Sequence, residues 1–355
     1  ILTILLTESN VYRPDAGLYH LPYIGILNSE KIIFGISNIH SRYALTSVLQ
    51  YFSAINNNLI FKDNGIIFAQ ALIASSIIII FIAQLNKYLK KREFNFHFFY
   101  LFFIMIFITY KMNRYSEYGN DAPAHFLVFF LISEILLISK IKLKDFSNNL
   151  VLSLFIVQNK LTLIFIVLIN LININKIKLN HLIIDRRFIF ATFFLIIWLV
   201  KNIISSGCLL YPIKLTCIDQ LSWTKIETVN KVSISAEAWT KGWSNKKSSL
   251  EISQEDFIKN FKWFDSWSKV HLQLIIKILI PYLIFCSLIV LFLKIKYKNK
   301  TYYTHPKKFY YFISIFLICS LIWFLKSPLF RYGYSYIICF IAFILSIPIP
   351  PLRKN

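Results

Sequence analysis

Charge is scarce in this chain, and acid is scarcer still. Only 16% of the 355 residues are charged, with 17 Asp and Glu against 39 Lys and Arg. A soluble domain carries about a quarter charged residues. So low a fraction, with 57% hydrophobic residues and a mean hydropathy of +0.58, excludes that class and reads as a polytopic membrane protein. No HxxxH, HExxH or DxD run occurs, so no motif announces a metal centre. Neither Met nor a basic flank precedes the apolar stub Ile1–Thr7. Such a stub is far shorter than the roughly 20 residues that cross a bilayer. It reads as a first helix without its N-terminal part, and no complete signal peptide is legible. The net charge of +22 does not imply nucleic acid, because the surplus falls in short loops between apolar segments, where membrane topology accounts for it.

The apolar segments are Ile66–Asn86, Phe94–Tyr110, Pro123–Ser139, Leu150–Ile174, Phe188–Ile204, Leu272–Leu293, Phe309–Leu325 and Tyr332–Ile349. Basic clusters separate them: Lys87, Lys90, Lys91 and Arg92; Lys140, Lys142 and Lys144; Lys176, Lys178, Arg186 and Arg187; Lys294, Lys296, Lys298, Lys300, Lys307 and Lys308. The tail adds Arg353 and Lys354. The positive-inside rule puts all of them in the cytoplasm. Single crossings satisfy that rule everywhere except Leu150–Ile174, which lies between two inside clusters and is interrupted by Gln158-Asn159-Lys160. It must cross an even number of times. We therefore expect two short, tilted or re-entrant helices with Lys160 at their outer tip, against the alternative of one helix with a snorkelling lysine. The expected fold is a single all-α membrane domain, residues 1–355, with about ten crossings counting the stub and the short pair. Four segments then share the outer face: the loop Glu8–Gly65, the turn Lys111–Ala122, the loop Ser205–His271 and the turn Lys326–Arg331.

The outer segments carry the chemistry. Asp15 lies between Pro14 and Gly17 in Val11-Tyr12-Arg13-Pro14-Asp15-Ala16-Gly17-Leu18-Tyr19-His20. It reads either as a general base or metal ligand, or as the N-cap of a helix starting at Ala16. His20, His40 and Arg42 are in the same loop and are candidates for the same site. Ala44, Val48, Tyr51, Phe52 and Ile55 recur at helical spacing, with Ser47, Gln50 and Ser53 opposite. This pattern fits an amphipathic helix in the membrane interface, or an ordinary helix packed on a neighbouring loop. The second turn holds Arg114, Glu117, Asp121 and His125. Asp121 reads as a helix cap before Pro123 or as a second acid facing Asp15, and His125 sits one turn further on. Trp223, Trp239, Trp243, Trp263 and Trp267 crowd the third segment. They read as interfacial tryptophans, or as a platform for carbohydrate or lipid, with Trp263 and Trp267 on one helical face. Cys208 and Cys217, nine apart in an oxidising compartment, are expected to form a disulfide, with two free thiols the alternative. Lys160, Lys201, Lys326 and Arg331 lie near the outer surface, where positive-inside logic does not explain them. They read as a clamp for a lipid phosphate, or as snorkelling helix ends. Arg331 is the foremost of them.

The layout resembles the GT-C class of membrane glycosyltransferases, and more closely a family of uncharacterised bacterial inner-membrane proteins of that type. The matching pieces are Asp15-Ala16-Gly17-Leu18-Tyr19-His20, Gly35-Ile36-Ser37-Asn38-Ile39-His40-Ser41-Arg42, Asp121-Ala122-Pro123-Ala124, Asn159-Lys160-Leu161, and the run Lys201–Pro212. The resemblance implies transfer of a sugar from a polyprenyl-phosphate donor to a glycan, lipid or protein acceptor on the periplasmic face. By the same analogy Asp15 is the base or holds a divalent metal (Mg or Mn) with Asp121, and Lys160, Lys201 and Arg331 hold phosphate. Two rival readings stand beside it. An O-antigen polymerase or ligase would lean on Arg42 and His40. A glycolipid transporter or structural subunit would need no chemistry.

Overall fold

The computed structural model describes residues 1–8, 14–45, 47–111, 118–119, 121–138, 140–174, 177–243, 252–297 and 308–353. Arg13, Arg114, Glu117, Lys176, Lys298, Lys300, Lys307 and Lys354 lie outside them. The described chain is all-α apart from one two-residue pairing, Glu93–Phe94 with Leu352–Arg353, and an isolated antiparallel bridge between Cys208 and Cys217. Four helices are long and apolar enough to cross a membrane: Asn64–Lys91, Arg186–Ser206, Phe264–Lys296 and Phe309–Lys326. Shorter apolar helices fill the bundle between them, notably Phe96–Lys111, Asp121–Leu137, Leu143–Asn159 and Phe330–Ser346.

The helices form where the apolar runs are uninterrupted, and they stop where backbone chemistry requires it. Asp185 caps Arg186–Ser206 by accepting from the backbone N–H groups of Arg187 and Phe188 at 2.9 and 3.3 Å. The same helix ends at Gly207, in the left-handed region at φ +77°. A Cβ there would fall 1.7 Å from Thr224 Oγ1, so no other residue fits without rearrangement. The core is phenylalanine-rich. Phe103, Phe107, Phe126, Phe129, Phe312 and Phe316 are fully buried, where Phe96–Lys111 and Asp121–Leu137 pack against Phe330–Ser346. Arg186–Ser206 is peripheral instead. Ile189, Phe190, Phe193, Ile196, Ile197 and Val200 are exposed along it, the surface a helix offers to lipid rather than to water.

Leu150–Ile174 folds back on itself. The helix Leu143–Asn159 ends at Lys160, and a ten-residue 3-10 helix, Leu161–Asn170, returns beside it. Asn170 donates to Ser153 Oγ at 2.8 Å, which closes the hairpin across its two arms. Lys160 is therefore a tip residue. The two ends of the bundle differ in chemistry. At one end the Glu93–Phe94 pairing holds the tail, and Glu134, Asp145, Arg186 and Arg187 surround a cavity of about 630 Å³. At the other end residues from all four segments assigned by sequence to one face meet around a single larger cavity.

The short helix Val48–Asn56 sits at that second end with its polar side inward. Ser47 and Gln50 form a capping box and line the cavity, and Ser53 is fully buried, while Phe52 and Ile55 are exposed. Both apolar side chains thus face outward, the orientation of a helix between a polar site and lipid.

Candidate functional site

The larger cavity encloses about 1780 Å³. Five ionised side chains from four separate regions converge on its wall. Asp15 accepts from Arg42 Nη1 through Oδ1 and from Arg331 Nη1 through Oδ2, both at 3.3 Å. Arg331 Nε lies 3.9 Å from Asp121 Oδ2, and the Lys160 ammonium donates to Asp121 Oδ1. Arg331 is thus shared by both carboxylates. Asp15 itself is helical in backbone (φ −58°, ψ −29°) and makes no side-chain cap bond, so its carboxylate is committed to the cluster rather than to capping. Three cations against two carboxylates leave one positive charge facing the cavity.

Aromatic rings hold the cations in place. The Arg42 guanidinium lies 4.7 Å from the Tyr19 ring centre, Lys160 Nζ 4.3 Å from Tyr332, and Arg331 between Trp239 at 5.4 Å and Tyr332 at 5.3 Å. Burial, with Asp15 next in weight, raises the Tyr19 phenol above its ordinary range, so it remains protonated.

His20 is buried against the same wall. Gln50 Oε1 accepts the Ser47 backbone N–H at 3.3 Å, which fixes the amide orientation. Its Nε2 then donates to His20 Nδ1 at 3.0 Å. His20 is left as the neutral Nε2–H tautomer. Burial pushes its pKa down to about 4, against the opposing pull of Asp121 and Asp15. His20 is thus a neutral hydrogen-bond donor rather than a cation at ordinary pH.

Other sequence candidates lie elsewhere. His125 is fully buried behind the wall and does not line the cavity. Its Nε2–H donates to the Arg331 carbonyl at 2.9 Å, and Nδ1 accepts from Ser335 at 2.7 Å. It fixes the backbone that carries Arg331. His40 also lies off the cavity. Its Nδ1 accepts the Arg42 backbone N–H at 3.2 Å and shapes the turn that presents Arg42. Lys201 does not line the cavity, whereas Asn202 beside it does. Trp263 and Trp267 form no platform. Both are buried, and Trp267 Nε1 donates to the Pro328 carbonyl at 2.7 Å, beneath the turn that leads to Arg331. Of the five tryptophans between residues 223 and 267, Trp239 lines the cavity. Cys208 and Cys217 are joined in a disulfide.

The carboxylates fit a divalent metal poorly. Among the described residues no group of three or more His, Cys, Asp or Glu is placed to hold one. Both acids already face guanidinium or ammonium groups, and adding a dication to a site with a positive surplus is electrostatically unfavourable. An anion meets the opposite balance.

A membrane helix bundle with a charged, aromatic-lined cavity at one end is the class this fold and site define. The chain belongs to the family described as Domain of unknown function (DUF8201), which matches residues 1–338. No curated protein and no solved structure matches it.

Proposed function

We propose that this protein is a GT-C-like membrane glycosyltransferase that takes its sugar from a polyprenyl-phosphate donor. In this reading the chain crosses a bacterial inner membrane about ten times, with the larger cavity on the periplasmic side. The observation that carries it is the grip of Arg331 on both Asp15 and Asp121 at the wall of a large cavity. Arg331, Arg42 and Lys160 suit a phosphate, whose negative charge grows as it departs. The apolar part of the lining, with Ile164, Phe165, Leu274, Ile278 and Ile322, suits a prenyl chain.

Binding of the phosphate draws the guanidinium groups toward the donor and frees Asp15. Its carboxylate then takes the proton from an acceptor hydroxyl. The acceptor oxygen bonds to the anomeric carbon as the bond from that carbon to the phosphate oxygen breaks. The electron pair leaves on the lipid phosphate, where the cations stabilise it. No step runs through a metal. His20, as a neutral donor, is suited to a phosphate or hydroxyl oxygen rather than to proton abstraction.

The test uses purified protein in lipid nanodiscs, a panel of polyprenyl-phosphate sugars, and release of sugar-free polyprenyl phosphate read by mass spectrometry. Asp15→Asn should abolish release while the protein stays folded. Full turnover in that variant removes Asp15 from the mechanism. Activity that survives Asp15→Asn but is lost with Arg42→Gln points instead to a polymerase- or ligase-type enzyme.

A further inference from the structure

The smaller cavity, of about 630 Å³, lies at the end of the bundle away from the charged cluster. Three helices line it. Leu143–Asn159 packs against both Asp121–Leu137 and Arg186–Ser206. Along each helix the lining changes from polar to apolar in the same direction. Glu134 gives way to Phe130, Asn149 to Leu152, and Arg186 to Phe190. The change takes three or four residues, about 5–6 Å of helix. Polar groups therefore gather at the end of the bundle, and apolar ones lie toward its middle. Phe190 is 61% exposed, on the flank that Arg186–Ser206 offers to lipid, so the apolar part of the cavity meets that flank. A phospholipid has both halves of this gradient, and a soluble solute has only one.

The polar end holds groups of both signs that the protein leaves free. A chain of hydrogen bonds sets Glu134. Ser133 Oγ donates to Gln84 Oε1 at 3.5 Å and accepts from His97 Nε2 at 3.0 Å. Gln84 Nε2 then donates to Glu134 Oε1 at 3.2 Å. Glu134 Oε2 has no partner among the described residues. Asp145 Oδ2 accepts the Lys142 backbone N–H at 3.1 Å, and its Oδ1 is likewise free. Asn149 is only 6% exposed, yet its side-chain amide has no partner and is not sealed from solvent. Buried polar groups are ordinarily paired, so this amide calls for a ligand. Arg187 reaches Asp185 at 3.5 Å, whereas the Arg186 guanidinium has no partner among the described residues.

We infer that this cavity binds the head group of phosphatidylethanolamine. Arg186 and Arg187 suit its phosphate. Its ammonium carries three N–H donors, and the free acceptors number three: Glu134 Oε2, Asp145 Oδ1 and Asn149 Oδ1. The acyl chains continue past Phe130, Leu152 and Phe190. Phosphatidylglycerol lacks the cation, and the quaternary ammonium of phosphatidylcholine has no N–H to donate. Basic pockets between helices bind anionic head groups; the two carboxylates here turn the preference toward a zwitterion. This site rests on the membrane class of the protein and not on the transferase reading, and a chain without transferase activity would still show the preference.

The experiment is native mass spectrometry of the delipidated full chain, titrated with phosphatidylethanolamine, phosphatidylcholine and phosphatidylglycerol of identical acyl chains. The affinity of the first lipid retained is the readout. Phosphatidylethanolamine should exceed both others by about tenfold, the worth of its charge-assisted hydrogen bonds. Glu134→Gln should erase its advantage over phosphatidylglycerol. Arg186→Gln, at an exposed helix start where packing is not at stake, should weaken phosphatidylethanolamine by about fivefold or more. Free phosphoethanolamine at the same concentration should not displace the lipid. Equal retention of the three lipids by the parent protein, or a preference for phosphatidylglycerol, overturns the site. The parental ranking kept in both variants does the same. Displacement by free phosphoethanolamine overturns the assignment to a lipid.

Discussion

Replacing Asp15 with asparagine should tighten the hold on a lipid phosphate while it ends turnover. Each Asp15 oxygen lies 3.3 Å from a guanidinium nitrogen, one on Arg42 and one on Arg331. A phosphate on the far edge of those guanidinium groups would sit about 7 Å from the carboxylate. One negative charge at that distance is repelled by about 0.6 kcal/mol in water and about 2.4 kcal/mol at an effective dielectric of ~20. Asparagine removes the repulsion and no longer competes for the two arginines. The gain is about 3- to 50-fold in affinity. Asp15 is 29% exposed, so solvent screening favours the lower half of that range. Equilibrium binding of polyprenyl phosphate to parent and variant nanodiscs measures it. The gain should shrink as salt rises, since exposed charges are screened. Arg331→Gln should move affinity in the opposite direction. Weaker binding by Asp15→Asn would refute the anion-clamp argument, because the carboxylate would then be holding the ligand itself.

Three further outcomes follow from the same geometry. His20 titrates at about 4 in the folded protein and near 6.5 when unfolded. Below 6.5 the unfolded chain takes a proton that the folded one refuses. This contribution to stability is therefore complete above pH 6.5, falls as pH drops toward 4, and amounts to about 3 kcal/mol across that window. Unfolding midpoints of parent and His20→Gln, compared between pH 4 and 7, should converge toward acid if this is right; parallel curves contradict it. Trp267→Phe leaves the Pro328 carbonyl without its donor and should cost about 1–2 kcal/mol, read as a lower Tm with turnover also reduced through the displaced Arg331 turn. Reduction of the Cys208–Cys217 bond, which closes a nine-residue separation, should remove about 2–3 kcal/mol and lower Tm, whereas a double Cys→Ser variant should be insensitive to reductant.

Part of the site could have been found from local sequence and was not. Ser47-x-x-Gln50 is a capping-box pattern, and it predicts that the Gln50 amide is turned toward its own backbone. From there the orientation of Gln50 toward a polar neighbour is a short step. The partner, His20, is 30 residues away and is supplied by the fold. The tryptophan pair at 263 and 267 shows the converse. Its i,i+4 spacing correctly places both rings on one face, but spacing does not say whether that face meets solvent or Phe324, and it meets Phe324.

What the sequence determined alone is the membrane class, the all-α architecture and the shared end of the four connecting segments. Each rests on a local physical demand. Apolar runs must be long enough to satisfy their backbone inside lipid, and basic loops must keep to one side. The fold-back at Lys160 and the Cys208–Cys217 bond were expected from a charge count and a short spacing, each against an alternative that the tertiary structure removed. Tertiary structure alone decided which charges meet. Asp15 and Arg331 are 316 residues apart and touch because a first-loop helix and the last helix of the bundle border one cavity. It also decided that His125 and His40 stand behind the wall while His20 lines it. Side-chain direction at these positions depends on how the helices pack and rotate against one another, which no local pattern encodes.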